Sequence, residues 1–68
     1  MKSISGKSFA KALENNGWVL LRVQGSHYIY GKAGHDARIT VPIHRNEPLK
    51  IGLLRHLMKI AGLGDKDL

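Results

Sequence analysis

Apolar and polar positions change rhythm several times along this chain. Phe9, Ala12 and Leu13 recur at helical spacing while Lys7, Lys11 and Glu14 fall on the other side, which predicts an amphipathic helix over residues 5 to 16. Ser5 is placed as its N-cap, and Ile4 with Phe9 makes a hydrophobic staple across the first turn. Asn15-Asn16-Gly17 ends the helix, because Gly17 is free to take the left-handed conformation of a C′ residue. Trp18-Val19-Leu20-Leu21-Arg22-Val23 is too apolar for a loop and too short for a helix, so it reads as a strand. Gln24-Gly25 turns the chain into a second strand, Ser26 to Lys32, rich in Tyr and Ile. Ala33-Gly34-His35-Asp36 is a second turn, and Arg38 to Ile43 alternates, with Ile39, Val41 and Ile43 on one face. Pro42 lacks the N–H a ladder needs and marks an edge or a strand end. After a loop, His44-Arg45-Asn46-Glu47-Pro48, helical spacing returns from Leu49 to Ala61, with Leu54, Leu57, Met58 and Ala61 as the buried stripe. Arg55 and Lys59 lie outside with His56, Gly62 ends the helix, and Asp65 caps one further short turn.

The predicted order is α-β-β-β-α, a single α+β domain over residues 1–68. A three-stranded antiparallel meander carries both helices on one face. Alternation in the middle strand groups His27 with Ile29, and Ser26 with Tyr28 and Tyr30. Either set fits the side facing the helices.

Composition narrows the function. Sixty-eight residues leave no room for a second domain, and a chain of this size buries only about 60% of the surface it exposes when unfolded. There is no cysteine, so neither a disulfide nor a thiolate enters the chemistry, which fits a reducing compartment. The N-terminal Met1-Lys2-Ser3-Ile4-Ser5 precedes no apolar run of the signal-peptide kind, and no stretch approaches the roughly 20 apolar residues of a membrane span. A cytoplasmic protein without a membrane partner is expected. Eleven Lys and Arg against five Asp and Glu give a net charge of +6, which favours nucleic acid or an acidic protein as partner.

The candidate chemistry starts from an absence of ligand clusters in the sequence. His27, His35, His44 and His56 are eight or more residues apart, and the few carboxylates form no cluster, so neither a metal site nor any other cofactor is expected. No glycine spacing of the phosphate-loop type occurs. RNA can still be cut without metal, because its own 2′-hydroxyl attacks the adjacent phosphate. The protein then supplies a base, an acid and cations. Histidine, with an ordinary pKa of about 6.5, suits either proton-transfer role, and Lys and Arg supply the cations.

The first candidate is His27, after Gly25-Ser26; the residues alone also allow a half-buried strand histidine after an ordinary hairpin turn. On the functional reading Gly25 lets a phosphate approach and Ser26 donates to it. His44, before the second helix, is a second proton-transfer group, a phosphate ligand or a packed loop residue. Arg45 and Lys50 flank the start of that helix, a natural phosphate seat. Arg55 and Lys59 form either a nucleic-acid face or a solvated one. Tyr28 and Tyr30 are either base-stacking residues or part of the core.

Taken together, Ser5-Gly6-Lys7, Asn16-Gly17-Trp18, Gly25-Ser26-His27 and Val41-Pro42-Ile43-His44 precede a helix of the form Lys-x-Gly-Leu-Leu-x-x-x-Met-Lys-x-Ala-Gly-Leu from Lys50 to Leu63. This pattern resembles the HicA family of bacterial and archaeal toxins over nearly the whole chain. The resemblance implies a fold like the double-stranded-RNA-binding domain. It implies a metal-independent mRNA endonuclease that halts translation, with His27 as the catalytic residue, and a HicB-type antitoxin that covers the site. No sequence-specific DNA binding is expected. Two other classes fit the basic surface: a non-catalytic RNA-binding module of the same fold, and an interaction protein for an acidic partner.

Overall fold

The computed structural model describes residues 3–68. Its elements are α1 (Gly6–Asn15), β1 (Val19–Gln24), β2 (His27–Lys32), β3 (His35–Pro42) and α2 (Ile51–Ala61), followed by a 3-10 turn at Asp65–Asp67. Met1 and Lys2, part of the N-terminal stretch read above as lacking a signal peptide, lie outside the described residues. The order α-β-β-β-α is as expected, and the sheet is an antiparallel meander, β1-β2-β3.

The caps follow the sequence. Ser5 Oγ accepts the Ser8 N–H at 3.1 Å, and Ile4, half-buried, packs on the core that holds Phe9. Gly62 closes α2 in the left-handed conformation at φ 72. Several boundaries shift, and at the first reversal Gln24 closes β1 while Ser26 belongs to the turn rather than to β2. The second reversal needs only Ala33 and Gly34, so His35 and Asp36 belong to β3 and His35 pairs with Lys32. The second helix begins at Ile51, because Lys50 is extended as its N-cap and Leu49 is instead a buried anchor before it. The last turn is capped by Gly64, whose N–H donates to Asp67 Oδ2 at 2.8 Å, rather than by Asp65.

One close approach positions the parts that matter below. A Cβ on Gly6 would overlap the carbonyl oxygen of Pro42 and press on the Ile43 side chain, so the first turn of α1 rests directly on the end of β3. Beside it, Ser5 bridges Pro48, and the Leu49 N–H donates to the Ile4 carbonyl at 2.7 Å. The entries to both helices and the exit from β3 therefore meet at one corner of the molecule.

Pairing resolves the alternation in β2. Tyr30 lies opposite Ile39 and Tyr28 opposite Val41. Tyr30, Ile39 and Val41 are buried with Phe9 and Leu13 of α1 and Leu54 and Leu57 of α2. The helices therefore cover the tyrosine face, and His27, Ile29 and Gly31 alternate onto the other. The edge strand β1 remains open: Val19, Leu20, Leu21 and Val23 are between 40% and 61% exposed.

Candidate functional site

The β1–β2 hairpin turns on Gly25 and Ser26, with Gln24 opposite His27. Gly25 has φ 60, a left-handed value at the first central position, which glycine takes without strain. Nothing lies within 4 Å of where its Cβ would stand, so the turn itself, and not crowding by protein atoms, calls for glycine. The Ser26 carbonyl accepts the Ile43 N–H at 2.8 Å, and Ser26 Oγ lies 3.2 Å from His44 Nε2. Two bonds thus tie this turn to the chain leaving β3. His27 is the first residue of β2, exposed, with Gln24 and Pro42 as its cross-strand neighbours.

The contact that the fold makes is therefore Ser26 with His44. His27 follows Ser26 directly, but its side chain belongs to the opposite face of the sheet. The loop after His44 is a tight turn in which the Glu47 N–H donates to the His44 carbonyl at 3.0 Å. Arg45 sits within it at φ 54, the one left-handed residue other than glycine among the described residues. Such backbone costs about 1–3 kcal/mol and persists where its surroundings impose it. Lys50, exposed at the N-cap of α2, borders a cleft of about 200 Å³ together with His44 and Glu47. Arg55 and Lys59 project from the exposed side of α2, away from that cleft.

A larger groove, about 630 Å³, runs between α1 and the tyrosine face of β2. Lys7, Lys11 and Glu14 line one wall, Tyr28 and Tyr30 the floor, and Arg45 the mouth beyond β3. The sequence singled out only Arg45 of these cations. The i, i+4, i+7 spacing of Lys7, Lys11 and Glu14 places them on one stripe of α1, but what that stripe overhangs depends on packing. The Tyr30 hydroxyl donates to Glu14 Oε2 at 2.9 Å. Burial first, and then that hydrogen bond and the Glu14 charge, hold the hydroxyl above its ordinary pKa, so it stays a donor.

Among the described residues, no three His, Asp, Glu or Cys side chains converge as a metal site would require, and no helix is long and apolar enough to cross a membrane. At this end of the sheet Ser26 meets His44, with Lys50 beside that histidine and Arg45 next to it in the loop, while His27 stands exposed on the other face. These are groups for moving protons and for holding phosphate.

No curated protein matches the chain. The profile of a family described as the HicA toxin of bacterial toxin–antitoxin matches residues 6–63, which takes in every element from α1 to the end of α2. With this match added to its motifs and its α-β-β-β-α order, the chain belongs to the HicA toxin family, and membership of a toxin–antitoxin pair implies an antitoxin as its partner.

Proposed function

We propose that this toxin is a metal-independent endoribonuclease that cleaves mRNA in the cytoplasm, built as a single domain of the double-stranded-RNA-binding type and restrained by an acidic HicB-type antitoxin. The observation that carries the reading is the exposed His27 at the start of β2, one residue from the Ser26–His44 pair. An mRNA strand laid over this strand end brings its scissile phosphate to the corner. His27 takes the proton of the 2′-hydroxyl as its oxygen forms a bond to phosphorus; the bond from phosphorus to the 5′-oxygen breaks, and that oxygen takes its proton from the imidazolium or from solvent. His27 is the principal catalytic group, and His44, paired with Ser26 at the strand end, is a phosphate ligand on the other face. Lys50 stabilises the charge that builds on the phosphorane, Arg45 holds a backbone phosphate beside it, Gly25 and Ser26 give the phosphate access, and Arg55 and Lys59 touch the backbone farther along the strand. The +6 charge that attracts RNA also attracts the acidic antitoxin that competes for it.

The mechanism is tested with a defined RNA. Cleavage should persist in EDTA and should stop when a single 2′-deoxy nucleotide is placed at the cut site. The products should end in a 2′,3′-cyclic phosphate or its hydrolysis product. Activity that a chelator abolishes, or that extends to DNA, would overturn the mechanism; RNA that binds and is never cut would identify a non-catalytic binding module.

A further inference from the structure

The lining of the groove over Tyr28 is graded in charge. Along α1, Lys7 lies toward the N-terminus, Lys11 one turn on and Glu14 near the C-terminus. The contact between Gly6 and Pro42 fixes the direction of that series on the sheet. Lys7 falls at the end where β3 exits to Ile43 and Arg45, and Glu14 at the far end, where it accepts from Tyr30. The cationic end adjoins the corner that holds Ser26, His27 and His44. Tyr28, half-buried, forms the floor between the two ends.

We propose that this groove seats one nucleotide of the RNA strand, next to the phosphate that is cut. Its base lies on the Tyr28 ring, its backbone phosphate sits among Lys7, Lys11 and Arg45, and a base N–H points toward the Glu14 carboxylate. Three features fit that occupant. The volume of about 630 Å³ falls in the range of about 300–1,000 Å³ that small-ligand pockets take. Aromatic stacking beside cations is how single-stranded nucleic acid is held without regard to sequence, and a carboxylate that accepts from a base edge adds selectivity among bases. Arg45 supplies the third feature. The turn would be easier to form with glycine at φ 54, yet an arginine stands there and borders the groove. His27 and Tyr28 are consecutive and face opposite ways, so a strand leaving the groove crosses the end of β2 to reach the imidazole.

The proposal rests on the ribonuclease reading, and the experiment separates the two. The probe is a fluorescent single-stranded oligonucleotide with 2′-O-methyl groups throughout, which cannot be cleaved, titrated by anisotropy at several salt concentrations. Arg45→Gly should melt no lower than the wild type, because it relieves the left-handed strain. It should nevertheless bind several-fold more weakly, with a salt slope smaller by about 0.7, the value for one lost phosphate contact on a single strand. Tyr28→Leu, which keeps an apolar side chain over Val41, should bind about ten-fold more weakly with its salt slope unchanged. These two signatures together support the groove. Wild-type affinity and slope in both variants would overturn it, even if His27 proves essential for cleavage. The two signatures in a protein that cuts no RNA would keep the groove and overturn the ribonuclease reading.

Discussion

The two faces of β2 do different jobs with residues that are neighbours in sequence. On one face Tyr28 and Tyr30 meet Val41 and Ile39 under both helices, and Tyr30 is 1% exposed. On the other, His27 and Ile29 meet Pro42 and Thr40, and His27 is open to solvent. Because side chains alternate with a period of two, one residue of slippage would bury the imidazole and expose the tyrosines. The register that builds the core is thus the register that leaves the proposed catalytic histidine open to solvent. On the ribonuclease reading, core and chemistry share the six residues of β2.

Two substitutions should pull the faces apart. Tyr30→Ala removes a large ring from the core and should cost about 3–5 kcal/mol, measured by denaturant or thermal unfolding. In a small domain, where total stability is about 5–15 kcal/mol, that leaves little margin. His27→Ala should do the reverse. Its melting temperature should stay close to that of the wild type while RNA cleavage falls about 100-fold or more, the scale of losing a general acid or base. Undiminished cleavage by the folded His27 variant would remove the catalytic assignment, and an unfolded one would mean that the open face is structural too.

How much of this was legible in the sequence depended on whether the information was local. Helical spacing named Leu54, Leu57, Met58 and Ala61 as the inner side of α2, and all four are buried. Alternation put Ile39, Val41 and Ile43 on one face, which proves to be the inner one, with Ile43 only partly buried at its end, and Pro42 ends an edge strand. Caps and turns at Ser5, Gly17, Gly25 and Gly62 act within a few residues, and they too could be read. The side of the sheet that His27 occupies could not, since parity divides a strand into two sets without saying which one the helices cover. The run from Val19 to Val23 announced a strand through its hydrophobicity but not that it would be an exposed edge. Ser26 and His44 are 18 residues apart, and no spacing rule joins them. The groove was hidden for the same reason: Lys7 and Lys11 are exposed, as their spacing says, but that they overhang the tyrosines depends on packing.

A third substitution tests the corner where the faces meet. Gly6 lets α1 rest on the Pro42 carbonyl. Gly6→Ala forces a methyl group into backbone, which cannot swing aside as a side chain would. It should cost about 1–3 kcal/mol, the usual range for overpacking, although alanine is the better helix former. The partner substitution sharpens the point. Gly52→Ala in α2 meets nothing within 4 Å and should stabilise the protein, by about 1 kcal/mol at most. Equal effects at the two glycines would mean that the contact between α1 and β3 is not tight.

The smallest effect concerns the buried end of the tyrosine face. Tyr30→Phe keeps the ring and removes only the hydrogen bond to Glu14, whose carboxylate is exposed and regains water. At neutral pH the loss should be about 0.5–1.5 kcal/mol. Alkaline pH should then erase it. Burial, the bond to Glu14 and the Glu14 charge raise the Tyr30 pKa in the folded protein above its unfolded value of 10.0. Above about pH 10 the unfolded chain gives up the Tyr30 proton while the folded protein keeps it, so the unfolded state binds fewer protons and stability falls as pH rises. The stabilisation is complete below the unfolded pKa and is lost as pH climbs toward the folded one. Every other side chain is common to the two proteins, so the difference between wild type and Tyr30→Phe isolates this one group. The wild type should lose stability more steeply than the variant above about pH 10, by no more than about 1.4 kcal/mol per pH unit, the limit for a single proton. The two stability curves should approach and then cross as the solution becomes more alkaline. Parallel curves would show that the Tyr30 hydroxyl ionises equally well in the folded and unfolded chain, and that this end of the groove is wet.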